Sequence, residues 1–300
     1  MQTHISPEQY QNALQTRDAR FDGKFFIGVT STGIYCRPVC PVRRPKPENT
    51  RYFASAAAAA SEGFRPCLRC RPESAPGSPA WKGSSTTVQR ALGLIESGAL
   101  NDGTLEQLSD RLGVSSRHLN RLFHQHLGAS PLAVAQTRRL HFAKKLLNET
   151  NLSMTDIALA AGFGSVRRFN AAFRKTYDCS PTELRRMNAP TAGNTVTLEL
   201  SFRPPFDWPA LLAFYEMRAI PGVEAVVDQC YHRTIRIGDK HGRFSVCPDK
   251  KRQTLKTTID FPDTSQLLHI VERIRRQFDL YADPIEIGRQ LSQDTFLQPL

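Results

Sequence analysis

The sequence predicts a multidomain α+β chain: a small zinc-bound α/β domain, an all-α double helix-turn-helix domain, and a C-terminal antiparallel sheet with helices on one face. Three observations carry that expectation. Two close cysteine pairs, Cys36 with Cys40 and Cys67 with Cys70, flank a 26-residue segment near the N-terminus. A near-repeat of helical period occupies the middle of the chain, and the final stretch alternates apolar and polar side chains between turn signals. Two segments rich in Pro, Gly, Ser or Asn punctuate the chain, ESAPGSPAWKGSSTT at 73–87 and NAPTAGN at 188–194. Domains are therefore expected at 1–75, 88–188 and 195–300.

In the first domain the cysteines read GIYCRPVCPVRRP and GFRPCLRCRPE. Each short turn aims two thiolates inward, and the long connection folds back to complete a tetrahedron. That is the spacing of a structural zinc site, so one Zn2+ per chain is expected on Cys36, Cys40, Cys67 and Cys70. Arg37, Arg43, Arg44, Arg65, Arg69 and Arg71 crowd the ligands. A zinc tetrathiolate carries a formal double negative charge, and a basic collar around it would hold a phosphate chain against the sulfurs. On spacing and charge alone, a zinc ribbon that only staples a small domain together stays open. The alanine run Ala56–Ala60 lies between the pairs and reads as a short helix, alanine being the best helix former.

In the middle domain, TLEQLSDRLGVSSRHLNRLFHQHLGASP aligns with SMTDIALAAGFGSVRRFNAAFRKTYDCSP. Leu105 and Leu108 match Met154 and Ile157, and Gly113 matches Gly162; one extra residue near Gly164 then brings Phe123 onto Phe173 and Pro131 onto Pro181. Each unit is a short apolar-periodic helix, a glycine turn, and a second helix opening on serine. That is a helix-turn-helix, whose second helix enters the major groove. AVAQTRRLHFAKKLLNET between the units has the period of a linker helix. Recognition helices should start near Ser116 and Ser165. Candidate DNA contacts are Arg117, His118, Asn120 and Arg121 in the first, and Ser165, Arg167, Arg168 and Asn170 in the second; a solvated helix face would show the same residues. Leu119, Leu122, Phe123, Phe169 and Phe173 are expected in the core.

The C-terminal block opens with TVTLELS, which alternates like a strand, and WPALLAFYEMRAI reads as a helix. RTIRIGD and GRFSVCPD read as strands around a turn at Asp239–Gly242, TLKTTIDF as another strand, and SQLLHIVERIRRQFDL as a last helix.

The chain has 300 residues, a net charge of +12 and a pI near 9.6, which suits a nucleic-acid binder. It contains no run of about 18 apolar residues and no signal-peptide pattern, so a soluble, cytoplasmic chain is expected. Seven cysteines, an odd number with four in metal spacing, argue against a disulfide framework. Cys179, Cys230 and Cys247 read as ordinary thiols without a role.

The literal residues add a resemblance. STGIYCRPVCPVRRP and EGFRPCLRCRP, preceded by RDARFDGKFFIGV, resemble the N-terminal domain of Ada-type alkylation-response proteins over about residues 8–73. The resemblance implies that the first cysteine takes a methyl group from a methylated DNA phosphate and keeps it. By position, Cys36 is then both zinc ligand and methyl acceptor, with Cys40, Cys67 and Cys70 as the remaining ligands. The paired helix-turn-helix units joined by one helix resemble the AraC-type DNA-binding domain, most specifically at GFGSVRRFNAAFRK. RPPFDW, AIPGVEAV, RRQFDLYADP and LSQDTFLQPL resemble the N-terminal domain of AlkA-type 3-methyladenine DNA glycosylases over about residues 195–300. The catalytic helix-hairpin-helix half of those enzymes has no counterpart in the sequence, and neither has a second alkyltransferase domain, so no glycosylase activity is expected of this chain.

Together these resemblances imply a stoichiometric, self-methylating transcriptional activator. Its partners would be double-stranded DNA, through methylated backbone and operator sequences, and RNA polymerase, with no membrane and no small-molecule effector. Rival readings are the N-terminal piece of a longer regulator–glycosylase fusion, a plain zinc-stabilised transcription factor, and a metabolite-responsive regulator. The last needs a ligand site, and the C-terminal block offers none that the sequence reveals.

Overall fold

Local capping chemistry starts the chain. Ser6 and Gln9 form a reciprocal capping box at the head of α1 (Pro7–Thr16), with Pro7 in the first turn. The computed structural model describes residues 6–70, 72, 75, 86–101, 103–187, 195–249 and 252–294. Arg71 and both expected linkers, apart from Ala75, Thr86 and Thr87, lie outside that set.

After a 3-10 turn at Ala19–Phe21, β1 (Phe26–Val29) pairs antiparallel with β2 (Ile34–Cys36) and with β3 (Thr50–Phe53). The alanine run forms α2 (Ala56–Ser61), capped by Ser55, and β4 (Arg65–Pro66) then adds in parallel to β2, giving the order β3-β1-β2-β4. This register places the zinc site. Tyr35 lies opposite Pro66, so the next residues on the two parallel strands, Cys36 and Cys67, leave the sheet side by side.

The middle of the chain repeats one local pattern. α3 (Thr86–Glu96) precedes α4 (Leu105–Leu112) and α5 (Ser116–Leu127); α6 (Pro131–Glu149) joins them to α7 (Met154–Ala160), α8 (Val166–Tyr177) and α9 (Pro181–Met187). Thr104, Ser115, Ser130, Ser153 and Ser165 each cap the helix that follows by accepting from a first-turn amide. At Gly162, φ is +79°, a left-handed turn that glycine adopts without strain. Leu108, Leu119, Phe123 and Leu127 pack with Leu92 and Ile95 of α3, with Leu122 half-buried beside them. The second unit packs differently. Ile157, Phe169 and Phe173 belong to one buried cluster that continues through Leu146 and Leu147 of α6 into the C-terminal sheet.

That sheet comprises β5 (Val196–Ser201), β6 (Glu224–Val227), β7 (Cys230–Ile237), β8 (Lys240–Asp249) and β9 (Thr254–Asp260), antiparallel in the order β5-β9-β8-β7-β6. α10 (Trp208–Met217) follows β5, and α11 (Leu267–Gln277) and α12 (Pro284–Leu291) follow β9. Alternation sorts its faces. Leu198, Leu200, Tyr231, Phe244, Val246, Leu255 and Ile259 pack with Trp208, Leu212, Val271, Ile274 and Phe278 of the helices. Thr197, Thr258, Ser245 and His232 follow one another across the opposite face.

Three sequence expectations are corrected here. The β7–β8 turn lies at Gly238–Asp239 rather than Asp239–Gly242, because Ile237 pairs with Lys240 and glycine at 238 supplies φ of +59°. Gly242 lies inside β8, where the backbone oxygen of Asp260 would stand 2.4 Å from any Cβ. β6, which carries no clean alternation, is an additional strand reached through the hairpin at Asp228–Gln229. Finally, Cys230 and Cys247 are not free thiols. Tyr231 pairs with Val246, so the two cysteines face each other across β7 and β8 and form a disulfide. Cys179 is free and half-buried.

Candidate metal centre and nucleic-acid interface

Cys36 ends β2, Cys67 follows β4, and the turns after each bring in Cys40 and Cys70. All four are buried, and their sulfurs lie within 4.8 Å of one another. A zinc tetrathiolate with Zn–S near 2.3 Å needs sulfurs about 3.8 Å apart, which this cluster accommodates. The protonation chemistry fits as well. Among the bare thiols, hydrogen bonding with Cys40 pushes Cys36 up, and hydrogen bonding with Cys36 pushes Cys70 up while drawing Cys40 and Cys67 down. Such a cluster cannot hold four thiolates alone; a divalent cation that displaces the protons can. The four cysteines form the zinc site of the chain.

Backbone amides treat the sulfurs unequally. The N–H of Arg37 donates to Cys70 Sγ at 3.4 Å, that of Val42 faces Cys40, and that of Cys70 faces Cys67. These three sulfurs share charge with an amide.

The basic collar divides into two groups. Arg43, Arg44 and Arg69 are exposed beside the cluster. Arg37 turns inward: its Nε donates to Asp22 Oδ1 at 2.8 Å, a second guanidinium nitrogen pairs with Asp22 Oδ2, and Nη1 donates to the Cys70 carbonyl at 3.1 Å. Arg65 is partly exposed and pairs at 2.9 Å with Asp178, the C-cap of α8.

Residues not singled out in the sequence tie the zinc site to the rest of the molecule. Lys144 on α6 is fully buried and donates to the Cys67 carbonyl at 3.2 Å. Tyr35 Oη lies 2.8 Å from His141 Nε2. Burial first, then the charge of Lys144, pushes His141 down to about 3, so this imidazole is neutral. Arg203, 1% exposed, donates to the Asp22 carbonyl at 3.1 Å and to the carbonyls of Tyr281 and Ala282. The sequence offers a faint signal only for Lys144 and Lys145, two lysines within an otherwise apolar-periodic helix.

On the recognition helices, Arg117 and Arg121 are exposed, while His118 and Asn120 are half-buried and His118 Nδ1 lies 3.1 Å from Arg121. Arg167, Arg168 and Asn170 are exposed on α8, and Ser165 uses its hydroxyl oxygen as the helix cap. Arg174 and Lys175, missed in the sequence, extend this face one turn further and are also exposed. The spacing i, i+3, i+7 places Arg167, Asn170 and Arg174 in one row. Among the described residues, no helix is long and apolar enough to cross a membrane.

Comparison with known proteins gives three family matches: the metal binding domain of Ada over residues 9–73, a helix-turn-helix domain over 108–187, and the AlkA N-terminal domain over 197–300. A probable bifunctional transcriptional activator/DNA repair enzyme AlkA of Mycobacterium tuberculosis is 41% identical over 98% of this chain. The chain spans 60% of that protein's length. The bifunctional transcriptional activator/DNA repair enzyme AdaA of Bacillus subtilis is 35% identical over 61% of this chain and 84% of its own length. Among solved structures, that of the Escherichia coli Ada protein in complex with DNA covers 45% of this chain and 94% of itself at 33% identity, with a TM-score of 0.23.

Proposed function

Because this chain belongs to the Ada-type family of bifunctional transcriptional activators and DNA repair enzymes, we propose that Cys36 irreversibly accepts a methyl group from a DNA methylphosphotriester. The methylated chain then acts as a sequence-specific activator of the response to DNA alkylation. One observation supports the choice of nucleophile: amides share the charge of Cys40, Cys67 and Cys70, which lowers the electron density of those sulfurs, while Cys36 holds the place of the first cysteine in the Ada-type motif.

Zinc, when bound, keeps the sulfurs deprotonated at neutral pH, where a free thiol with a pKa of about 8.5 is mostly protonated. Cys36 Sγ forms a bond to the methyl carbon as the carbon–oxygen bond breaks, and the electron pair leaves with the phosphate oxygen. A neutral triester thereby becomes an ordinary anionic diester, no proton is transferred, and the sulfur ends as a neutral thioether. The neutral triester approaches the anionic cluster without the repulsion that a diester meets. Arg43, Arg44 and Arg69 hold the flanking phosphates, while Arg37, locked on Asp22, keeps the Cys70 turn in place.

The exposed rows on α5 and α8 read the operator, and RNA polymerase is the downstream partner in this reading. Residues 1–75 act as methyl acceptor, 88–188 as operator reader and 195–300 as the brace behind both. Intact-mass measurement after incubation with a methylphosphotriester duplex tests the proposal. A gain of one CH2 unit, located to Cys36 by peptide mapping, is expected; an unchanged mass sinks the reading.

A further inference from the structure

A cavity of about 210 Å3 lies where the zinc domain, the first helix-turn-helix unit and α11 meet. Phe26, Leu92, Val134, Phe142, Leu268 and Val271 form its apolar wall, drawn from segments far apart in sequence. The volume equals about seven water molecules at roughly 30 Å3 each. It is smaller than the roughly 300–1,000 Å3 of sites for drug-sized ligands. A single ring or a short branched chain fills it.

Charged groups line the same space, and those among the described residues do not balance. Glu272 is 6% exposed; Arg138 Nη2 pairs with one of its oxygens at 2.5 Å, and Tyr281 Oη donates to the other. Glu96 is paired with Arg276 at 3.1 Å. Among the described residues, both carboxylates of the wall are therefore occupied. Arg275, 6% exposed, also lines the cavity, and its Nη1 has no hydrogen-bond partner; neither has Nη1 of Arg138. His141 contributes no charge, and Lys145 is held by Glu149 at 2.9 Å. Two buried guanidinium groups thus share one carboxylate, Arg275 also stacks on the Tyr281 ring, and Nη1 of each arginine is left without an acceptor, which proteins rarely leave so.

We propose that this cavity is a binding site for a small monocarboxylate with an apolar body, its carboxylate on Arg275 and Arg138 and its body against the apolar wall. One carboxylate supplies the single missing negative charge and presents two acceptors to the guanidinium groups, which a neutral or doubly charged ligand does not. Because the walls come from three regions, the ligand binds only the arrangement in which they meet, and its occupancy stabilises that arrangement. The chain then carries an effector input besides Cys36. This site does not depend on the methyl-acceptor reading.

Benzoate is the probe, with benzamide as its neutral counterpart. Calorimetric titration of the full zinc-loaded chain should show one benzoate per chain, with a Kd near or below about 1 mM. Benzamide should bind at least about tenfold more weakly. Arg275→Gln should weaken benzoate about tenfold or more, and Arg275→Lys should retain part of the affinity. Val271→Trp, which fills the cavity, should abolish binding while zinc content and circular dichroism stay unchanged. If that variant does not fold, the two Arg275 variants decide alone. None of these titrations contains methylated DNA, so their outcome is independent of the methyl-acceptor reading. No saturable benzoate signal up to about 10 mM, or equal binding by the parent and Arg275→Gln, overturns the proposal.

Discussion

Cys36 shares one metal with three other cysteines, so substitutions must separate ligand from nucleophile. Cys36→Ser should abolish methyl uptake. Cys40→Ser, Cys67→Ser and Cys70→Ser should first lose zinc and fold, with activity lost as a consequence. Intact mass and zinc content measured on the same samples check this; a methyl group found on another cysteine of the cluster in Cys36→Ser would show the acceptor to be misassigned. His141 makes a second prediction at this scale. An unfolded histidine titrates near pH 6.5, and the folded one near 3, so between those values the unfolded chain binds the extra proton. The stability contribution of this site is therefore complete above about pH 6.5 and is lost as pH falls toward about 3, at up to about 1.4 kcal/mol per pH unit. His141→Phe should flatten the acid slope of unfolding free energy between about pH 6.5 and 4.5. Denaturant titrations of parent and variant at several pH values measure it, and parallel slopes would contradict a half-buried neutral imidazole.

Helix α8 shows how an element converts local grammar into an exposed basic face. Ser165 caps it, Phe169 and Phe173 anchor one face, and Arg167, Arg168 and Asn170 remain on the other. Arg168→Ala should weaken operator binding in both the methylated and unmethylated states. If Arg168 contacts a phosphate, the log–log salt slope should also fall by about 0.9. Fluorescence anisotropy with operator DNA at several salt concentrations reports both quantities; unchanged affinity would assign Arg168 to a merely solvated face. The helix pattern itself was legible in the sequence, because caps and apolar periods act within one or two turns. Sequence alone places Arg65 only in a basic collar, because its ion pair with Asp178 joins β4 to the end of α8, 113 residues away.

At the scale of the whole molecule, zinc and charge are the two terms on which the proposed switch rests. The zinc domain is too small to bury much apolar surface, and its Phe26, Phe53 and Phe64 cluster is modest. Chelation should therefore unfold it and remove the protection of its amides from hydrogen exchange, while β7 and β8 stay protected. An unchanged exchange pattern after chelation would show that the metal is dispensable for the fold. Methylation of Cys36 removes one formal negative charge beside Arg43 and Arg44, so operator affinity should rise. One fewer repelled charge acts like roughly one extra phosphate contact, steepening the salt slope by about 0.9. Arg43→Ala should reduce that gain. Arg65→Ala should instead disturb the contact between β4 and α8, because this arginine is already paired. Titrations of methylated and unmethylated protein across salt decide the point, and equal affinities at every salt would mean that methylation signals by another route.

Spacing along the chain determined the zinc ligands, the two helix-turn-helix units and the position of the recognition helices, because each depends on residues within a few turns of one another. Tertiary structure alone decided which charges face outward. Arg37 and Arg203 converge on Asp22, Lys144 reaches the Cys67 carbonyl, and Arg275 faces a cavity between regions far apart in sequence. It also decided the Cys230–Cys247 disulfide, which depends on a strand register that a shift of one residue would have abolished. Such pairings join segments that the chain keeps apart, and burial fixes them only once the sheets and helices have docked.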